Sequence, residues 1–162
     1  MKVSVLIPTY NRVNALVATL TALCSQTFKD FEVVVSDQSD SFAGEDKTIQ
    51  TIVRILELHG NPVKMIYNMP KKGIAHQRQT LLDNATGSYA LFMDDDVVLE
   101  ADVIGRMVKA LDEERVGFCG MALIGLSYLN DVRPHQQDVE FWDGPVEPVS
   151  YTHLTLPTNR EV

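Results

Sequence analysis

Apolar positions along the chain recur with two alternating periods. Residues 3–7 form a short β-branched run stopped by Pro8, the pattern of a buried strand. Leu16, Leu20 and Leu23, with Val17 beside the first, then fall at helical spacing. Residues 33–35, all valine, predict a second strand, ended by the turn formers of 36–40. Ile49, Ile52, Val53 and Leu56 mark a second helix, which Gly60-Asn61-Pro62 should stop. Residues 63–67 read as a third strand. Residues 75–85 have helical composition, with Gly87 as a left-handed cap. Residues 89–93 form a fourth strand that runs straight into Asp94-Asp95-Asp96. Val103, Ile104, Met107, Val108 and Leu111 give one more helical face, and 116–126 a fifth extended stretch weakened by Gly120 and Gly125.

Strands and helices therefore alternate, and nearly continuous apolar strands are what a parallel sheet covered on both faces requires. The fold class is α/β, an open, mostly parallel sheet flanked by helices. Such sheets bind ligands beyond the carboxyl ends of their strands. The polar clusters fall there: Pro8, Thr9, Tyr10, Asn11 and Arg12 after the first strand, Asp37 after the second, and Asp94 to Asp96 after the fourth. From 127 onward the pattern fades. Residues 127–148 are loop-like, and 149–162 follow neither period and read as a non-native tail.

Composition narrows the function. Hydrophobic residues make up 45% of the 162, which suits a globular protein. Fourteen basic against 22 acidic residues give a net charge of −8, so nucleic acid is not an expected partner. No apolar run approaches the ~20 residues of a membrane span. Two cysteines, Cys24 and Cys119, suit a reducing, cytoplasmic setting.

The triple carboxylate is the loudest chemical signal. No Lys or Arg lies between Arg78 and Arg106 to offset it locally. A divalent cation would do so, and oxygen ligands favour Mg²⁺ or Mn²⁺; a solvated acidic turn is the competing reading. In an extended segment Asp94 and Asp96 would point one way and Asp95 the other. Asp37 can accept hydrogen bonds from a ligand or can close a turn on its own backbone. Arg78 can neutralise a phosphate or stand exposed on its helix. Trp142 can stack on a sugar or anchor a loop, while His76 and Lys71-Lys72 read as surface residues. No Gly-x-Gly-x-x-Gly, P-loop or Gly-x-Ser-x-Gly motif is present.

Four segments, taken in order, resemble glycosyltransferase family 2. They are residues 3–12, then Ser25-Gln26-Thr27-Phe28 with 31–39, then Gly73-Ile74-Ala75-His76-Gln77-Arg78, and finally 85–96. The resemblance implies a GT-A, Rossmann-like fold that binds a nucleoside diphosphate sugar, UDP-linked by preference. It implies that Pro8, Thr9, Tyr10 and Arg12 border the nucleotide and that Asp37 accepts a hydrogen bond from the base. Arg78 would lie near the nucleotide. Asp94-x-Asp96 matches the DxD motif: Asp94 and Asp95 would approach the ribose and sugar, and Asp96, with Asp94, would hold Mn²⁺ or Mg²⁺. A saccharide or lipid-linked acceptor would attack with inversion. The family's general base lies well downstream. The resemblance therefore makes 1–126 the donor-binding domain and 127–148 the start of an acceptor region, in a fold truncated at its C-terminal end. The parent would work in the cytoplasm, at the inner face of the membrane. Ser36, Gln38 and Gln79 depart from the family pattern. A non-catalytic nucleotide-sugar-binding module shares the donor site. A sugar-nucleotide pyrophosphorylase would need an early glycine-rich loop, and residues 8–12 contain no glycine.

Overall fold

A computed structural model describes residues 2–114 and 116–121. Residues 1–109 form one compact unit. The elements run β1 (Val3–Thr9), α1 (Val13–Cys24), β2 (Phe31–Asp37), α2 (Lys47–Leu58), β3 (Val63–Tyr67), α3 (Ile74–Asp83), β4 (Tyr89–Phe92) and α4 (Val103–Glu114), with one 3₁₀ turn at Ala43–Glu45. Four strands pair in the order β3-β2-β1-β4, all parallel. The α/β reading holds.

Strand position explains strand composition. Every residue of β1 is buried, and all of β2 except half-buried Glu32, because both are central and covered on two faces. In the outer strands no residue is fully buried: β4 alternates between half-buried and exposed, and β3 mixes the two. Odd-numbered residues of β1 and β2, such as Val5, Ile7, Val33 and Val35, join Leu16, Leu20, Ile49, Leu56 and Ile104 in the main core. Leu6 and Val34 meet Leu81 of α3 on the other face. The stripes read from spacing in α1 and α2 are thus the ones that pack, and in α4 Val103, Ile104 and Val108 are buried while Met107 and Leu111 are half-buried.

Two expectations are corrected. Gly87 is not a left-handed helix cap, since α3 ends at Asp83 with Asn84 as its cap. Its role is close approach: a Cβ there would lie 2.6 Å from the Ser4 backbone nitrogen. The left-handed glycines are instead Gly60, just beyond α2, and Gly73, immediately before α3. The described part of the fifth stretch, 116–121, forms no strand; Gly117 and Gly120 weaken it and Phe118 is 88% exposed, so no packing rewards extension. Residues 122–162, including Trp142, the 127–148 region and the 149–162 tail, lie outside the described residues.

The amino edge of the sheet is tied by a polar knot. The Ser4 hydroxyl donates to Glu32 Oε1 at 2.6 Å and accepts from the Gly87 amide at 2.8 Å. The Thr86 amide and hydroxyl donate to the same Glu32 oxygen at 2.6 and 2.8 Å. Burial pushes the Glu32 carboxyl upward, but the hydrogen bonds from Ser4 and Thr86 outweigh it and hold it below its ordinary 4.5. A carboxyl with a depressed folded pKa stabilises the fold once ionised. That contribution is complete above the unfolded value and is lost as pH falls through the folded one. Glu32→Gln should therefore flatten the loss of stability that the wild type shows between about pH 6 and about pH 3, read by chemical denaturation across that range. Gly87→Ala should cost about 1–3 kcal/mol at neutral pH, because backbone rather than a flexible side chain must move.

Candidate functional site

The parallel register brings the carboxyl ends of β1 and β2 level, with Thr9 opposite Asp37. Pro8 is tolerated inside a central strand for a local reason. Leu6 accepts from Met93 on the β4 side, while Thr9 accepts from Gln38 on the β2 side. Backbone direction alternates along a strand, so Pro8 faces β4, whose pairing has already ended at Phe92. The missing amide hydrogen thus falls where the β1–β4 ladder stops. Behind the two strand ends, Gln77 of α3 is 4% exposed, and its amide donates to the carbonyls of Thr9 at 2.8 Å and Ser36 at 2.9 Å.

The acidic run alternates as expected: Asp94 and Asp96 are exposed and Asp95 is buried. Burying a carboxylate demands partners, and Asp95 has them from the first loop and first helix. The Thr9 hydroxyl donates to its Oδ2 at 2.6 Å, Arg12 Nη1 lies 3.1 Å from its Oδ1, and Thr19 of α1 donates to its carbonyl at 2.8 Å. Arg12 Nη2 reaches Asp96 Oδ2 at 2.6 Å. The hydrogen bond from Arg12 to Asp96, followed by the charges of Asp95, Asp96 and Asp94, holds the guanidinium protonated beyond its ordinary range. The counter-charge missing from the local sequence comes from a residue more than eighty positions earlier.

Asp37 sits at the sheet edge but is fully buried and turned onto its own loop. Its two oxygens accept from the Ser39 amide at 2.8 Å and the Ala43 amide at 2.6 Å. Above it, Asn11, with φ of 53°, and Asp40 exchange hydrogen bonds at 2.8 and 3.0 Å, locking the first loop to the second. The bond from Asn11, with the charge of Lys72, lowers the Asp40 carboxyl. Lys72 stands 3.1 Å from Asp40 and 4.6 Å over the exposed Tyr10 ring, a cation–π arrangement. Gln38 fastens the segment carrying Lys72: its amide donates to Lys71 O at 2.7 Å, and its oxygen accepts from the Gly73 amide at 2.8 Å. Between these loops lies an open cleft of about 580 Å³, lined by residues 11–15 and 39–41.

The structure thus gathers Thr9, Arg12, Asp95 and Asp96 in direct contact, with Pro8, Tyr10, Asp37 and Asp94 on the same sheet edge. Arg78 is exposed on α3 and forms no ion pair with the acidic run among the described residues. Sequence reasoning missed Gln77, Gln38 and Lys72. Gln38 stood out as a departure from the family pattern, and the structure shows what it fastens; Lys72 is the surface residue expected, but one paired with Asp40 at the rim. Among the described residues no three His, Cys, Asp or Glu side chains gather to hold a cation alone. Two exposed carboxylates, Asp94 and Asp96, fit a cation that takes one or two protein carboxylates and completes its shell with phosphate oxygens.

A family model described as Glycosyl transferase family 2 matches residues 4–156. The chain is 31% identical over 124 residues to a GalNAc(5)-diNAcBac-PP-undecaprenol beta-1,3-glucosyltransferase of Campylobacter jejuni, covering 76% of this chain and 38% of that protein. Among solved structures, S. aureus TarS in complex with UDP-GlcNAc superposes with a TM-score of 0.55 at 30% identity, over 71% of this chain and 32% of that one. The mannosyltransferase PcManGT from Pyrobaculum calidifontis, in complex with GDP-Man and Mn2+, gives 0.59 at 27% identity, over 75% and 36%. The chain spans well under half the length of each of these proteins. No helix among the described residues is long and apolar enough to cross a membrane.

Gln77→Leu should orphan the Thr9 and Ser36 carbonyls in a buried place, at a cost of about 1–3 kcal/mol. Equilibrium denaturation monitored by circular dichroism checks this.

Proposed function

Because the chain belongs to glycosyl transferase family 2, we propose that it forms the donor-binding part of an inverting glycosyltransferase that uses a UDP-linked sugar and a divalent cation. The observation that carries this reading is the meeting of the first loop and the acidic run, through Thr9, Arg12, Asp95 and Asp96, at the carboxyl edge of a parallel sheet. That edge is where α/β folds take nucleotides.

In this reading the nucleotide lies across the cleft between the loops after β1 and β2. Tyr10 offers a ring face to the base, once Lys72 has moved from it, and Pro8 and Thr9 set the height of that loop. Asp37 shapes the 38–43 loop through its two backbone bonds and presents that loop to the base. Lys72 and Arg78 are the cations that phosphate oxygens would draw on from the α3 side. Asp95, enclosed by Thr9 and Arg12, positions Arg12 next to the sugar diphosphate. Asp96, with Asp94, would hold Mn²⁺ or Mg²⁺, which supplies Lewis-acid stabilisation of the departing nucleoside diphosphate. The acceptor is read as a lipid-linked saccharide from the undecaprenol-linked substrate in the name of the Campylobacter relative, and the setting as the cytoplasmic face of the membrane. Inversion requires the acceptor hydroxyl to attack opposite the leaving group with a base to take its proton; no described residue is assigned that task.

Isothermal titration of UDP into the protein tests the reading. Binding should tighten when Mn²⁺ is present, and Asp96→Ala should abolish that enhancement, a loss of about tenfold or more, while leaving metal-free affinity close to the wild type. Equal UDP affinity with and without Mn²⁺, in both proteins, would overturn the metal-assisted reading.

A further inference from the structure

Arg12 makes two contacts of different character. Its Nη1 lies 3.1 Å from an oxygen of Asp95, whose side chain is 5% exposed, and its Nη2 lies 2.6 Å from an oxygen of Asp96, whose side chain is 47% exposed. Asp95 is fixed from two sides, by the Thr9 hydroxyl on Oδ2 and by the Thr19 hydroxyl on its carbonyl. The Asp96 side chain, by contrast, has Arg12 as its hydrogen-bonding partner among the described residues. The arginine is half-exposed and stands at the cap position of α1, so it is anchored at one end of its fork and open to water at the other.

From this we propose that Arg12 is a tethered stand-in for the divalent cation: it holds Asp96 when no cation is bound and must give up that oxygen when one arrives. The inference rests on the reading of Asp96 as a cation ligand. Its physical basis is competition. A guanidinium hydrogen on Asp96 Oδ2 takes one of that oxygen's lone pairs and draws on its electron density, and its positive charge repels a second cation at the same carboxylate. Through its two contacts Arg12 offsets part of the charge of the three adjacent carboxylates before any ligand enters. The anchor on Asp95 keeps the released guanidinium beside the cleft, where an entering diphosphate supplies a new anion for it. Arg12 thereby makes the cation bind weakly alone and better with the donor.

Mn²⁺ titration of the protein without nucleotide, followed by calorimetry or by loss of the free-ion paramagnetic signal, reads this directly. Arg12→Gln should tighten Mn²⁺ binding by roughly three- to tenfold. Arg12→Lys, which keeps the charge but loses the fork that spans two carboxylates, should fall between. Arg54→Gln on the exposed face of α2 makes the same change in net charge and should leave Mn²⁺ affinity unaltered. Unchanged or weaker Mn²⁺ binding in Arg12→Gln, with binding still lost in Asp96→Ala, would overturn the stand-in role and leave the cation site intact. Mn²⁺ binding indifferent to Asp96→Ala would remove the cation site and this inference together. If Arg12→Gln is poorly folded, the Arg12→Lys shift alone decides, since no change there overturns the competition.

Discussion

A carboxylate as enclosed as that of Asp95 is stable only when its charge is met at short range, and the whole carboxyl edge is arranged around meeting it. Thr9 can reach it because β1 is pulled into register with β2 and ends level with Asp37. Thr19 reaches it because α1 packs on the same face of the sheet as the odd-numbered residues of β1. Arg12 reaches it because the backbone turns sharply at Asn11, the single non-glycine residue of positive φ among those described. Strand register, helix packing and loop geometry therefore converge on one buried charge.

The same convergence orders the neighbouring loops. The Gln26 amide donates to Glu100 O at 2.7 Å and the Thr27 amide to Ala101 O at 2.7 Å, fixing the far end of the segment that begins with the acidic run. Gln38 and Gln77 do the equivalent for the approach to α3. Long neutral amides are well suited to this work, since one glutamine can satisfy two backbone groups without adding charge to an edge already rich in carboxylates.

Most of the fold was legible because period and burial are directly linked: the residues at helical spacing in α1 and α2, with Val103, Ile104 and Val108 of α4, lie in or against the core, and the valine-rich runs are the central strands. The gathering of the polar clusters at the carboxyl edge followed from the same reasoning, as did the opposed directions of Asp95 and its two neighbours, though not which of them is buried. What sequence could not reveal were pairings that depend on tertiary proximity. Arg12 was legible as a loop cation but not as the counter-ion of Asp95 and Asp96, because more than eighty residues separate them. Asp37 was open between ligand acceptor and turn former; its burial and two backbone bonds give it the turn-forming role, whatever else it does. Gly87 misled because glycine after a helix usually signals a cap, whereas here it admits the backbone of a neighbouring strand.

The knot of Ser4, Glu32, Thr86 and Gly87 sits at the opposite rim of the sheet from the cleft, separated from it by the length of β1, some five residues of extended backbone or about 17 Å. Perturbations that far apart, with no shared partners, combine almost independently. One rim can therefore gain or lose sturdiness without altering the loops at the other, so that mutational divergence within the knot need not be checked by what the cleft recognises.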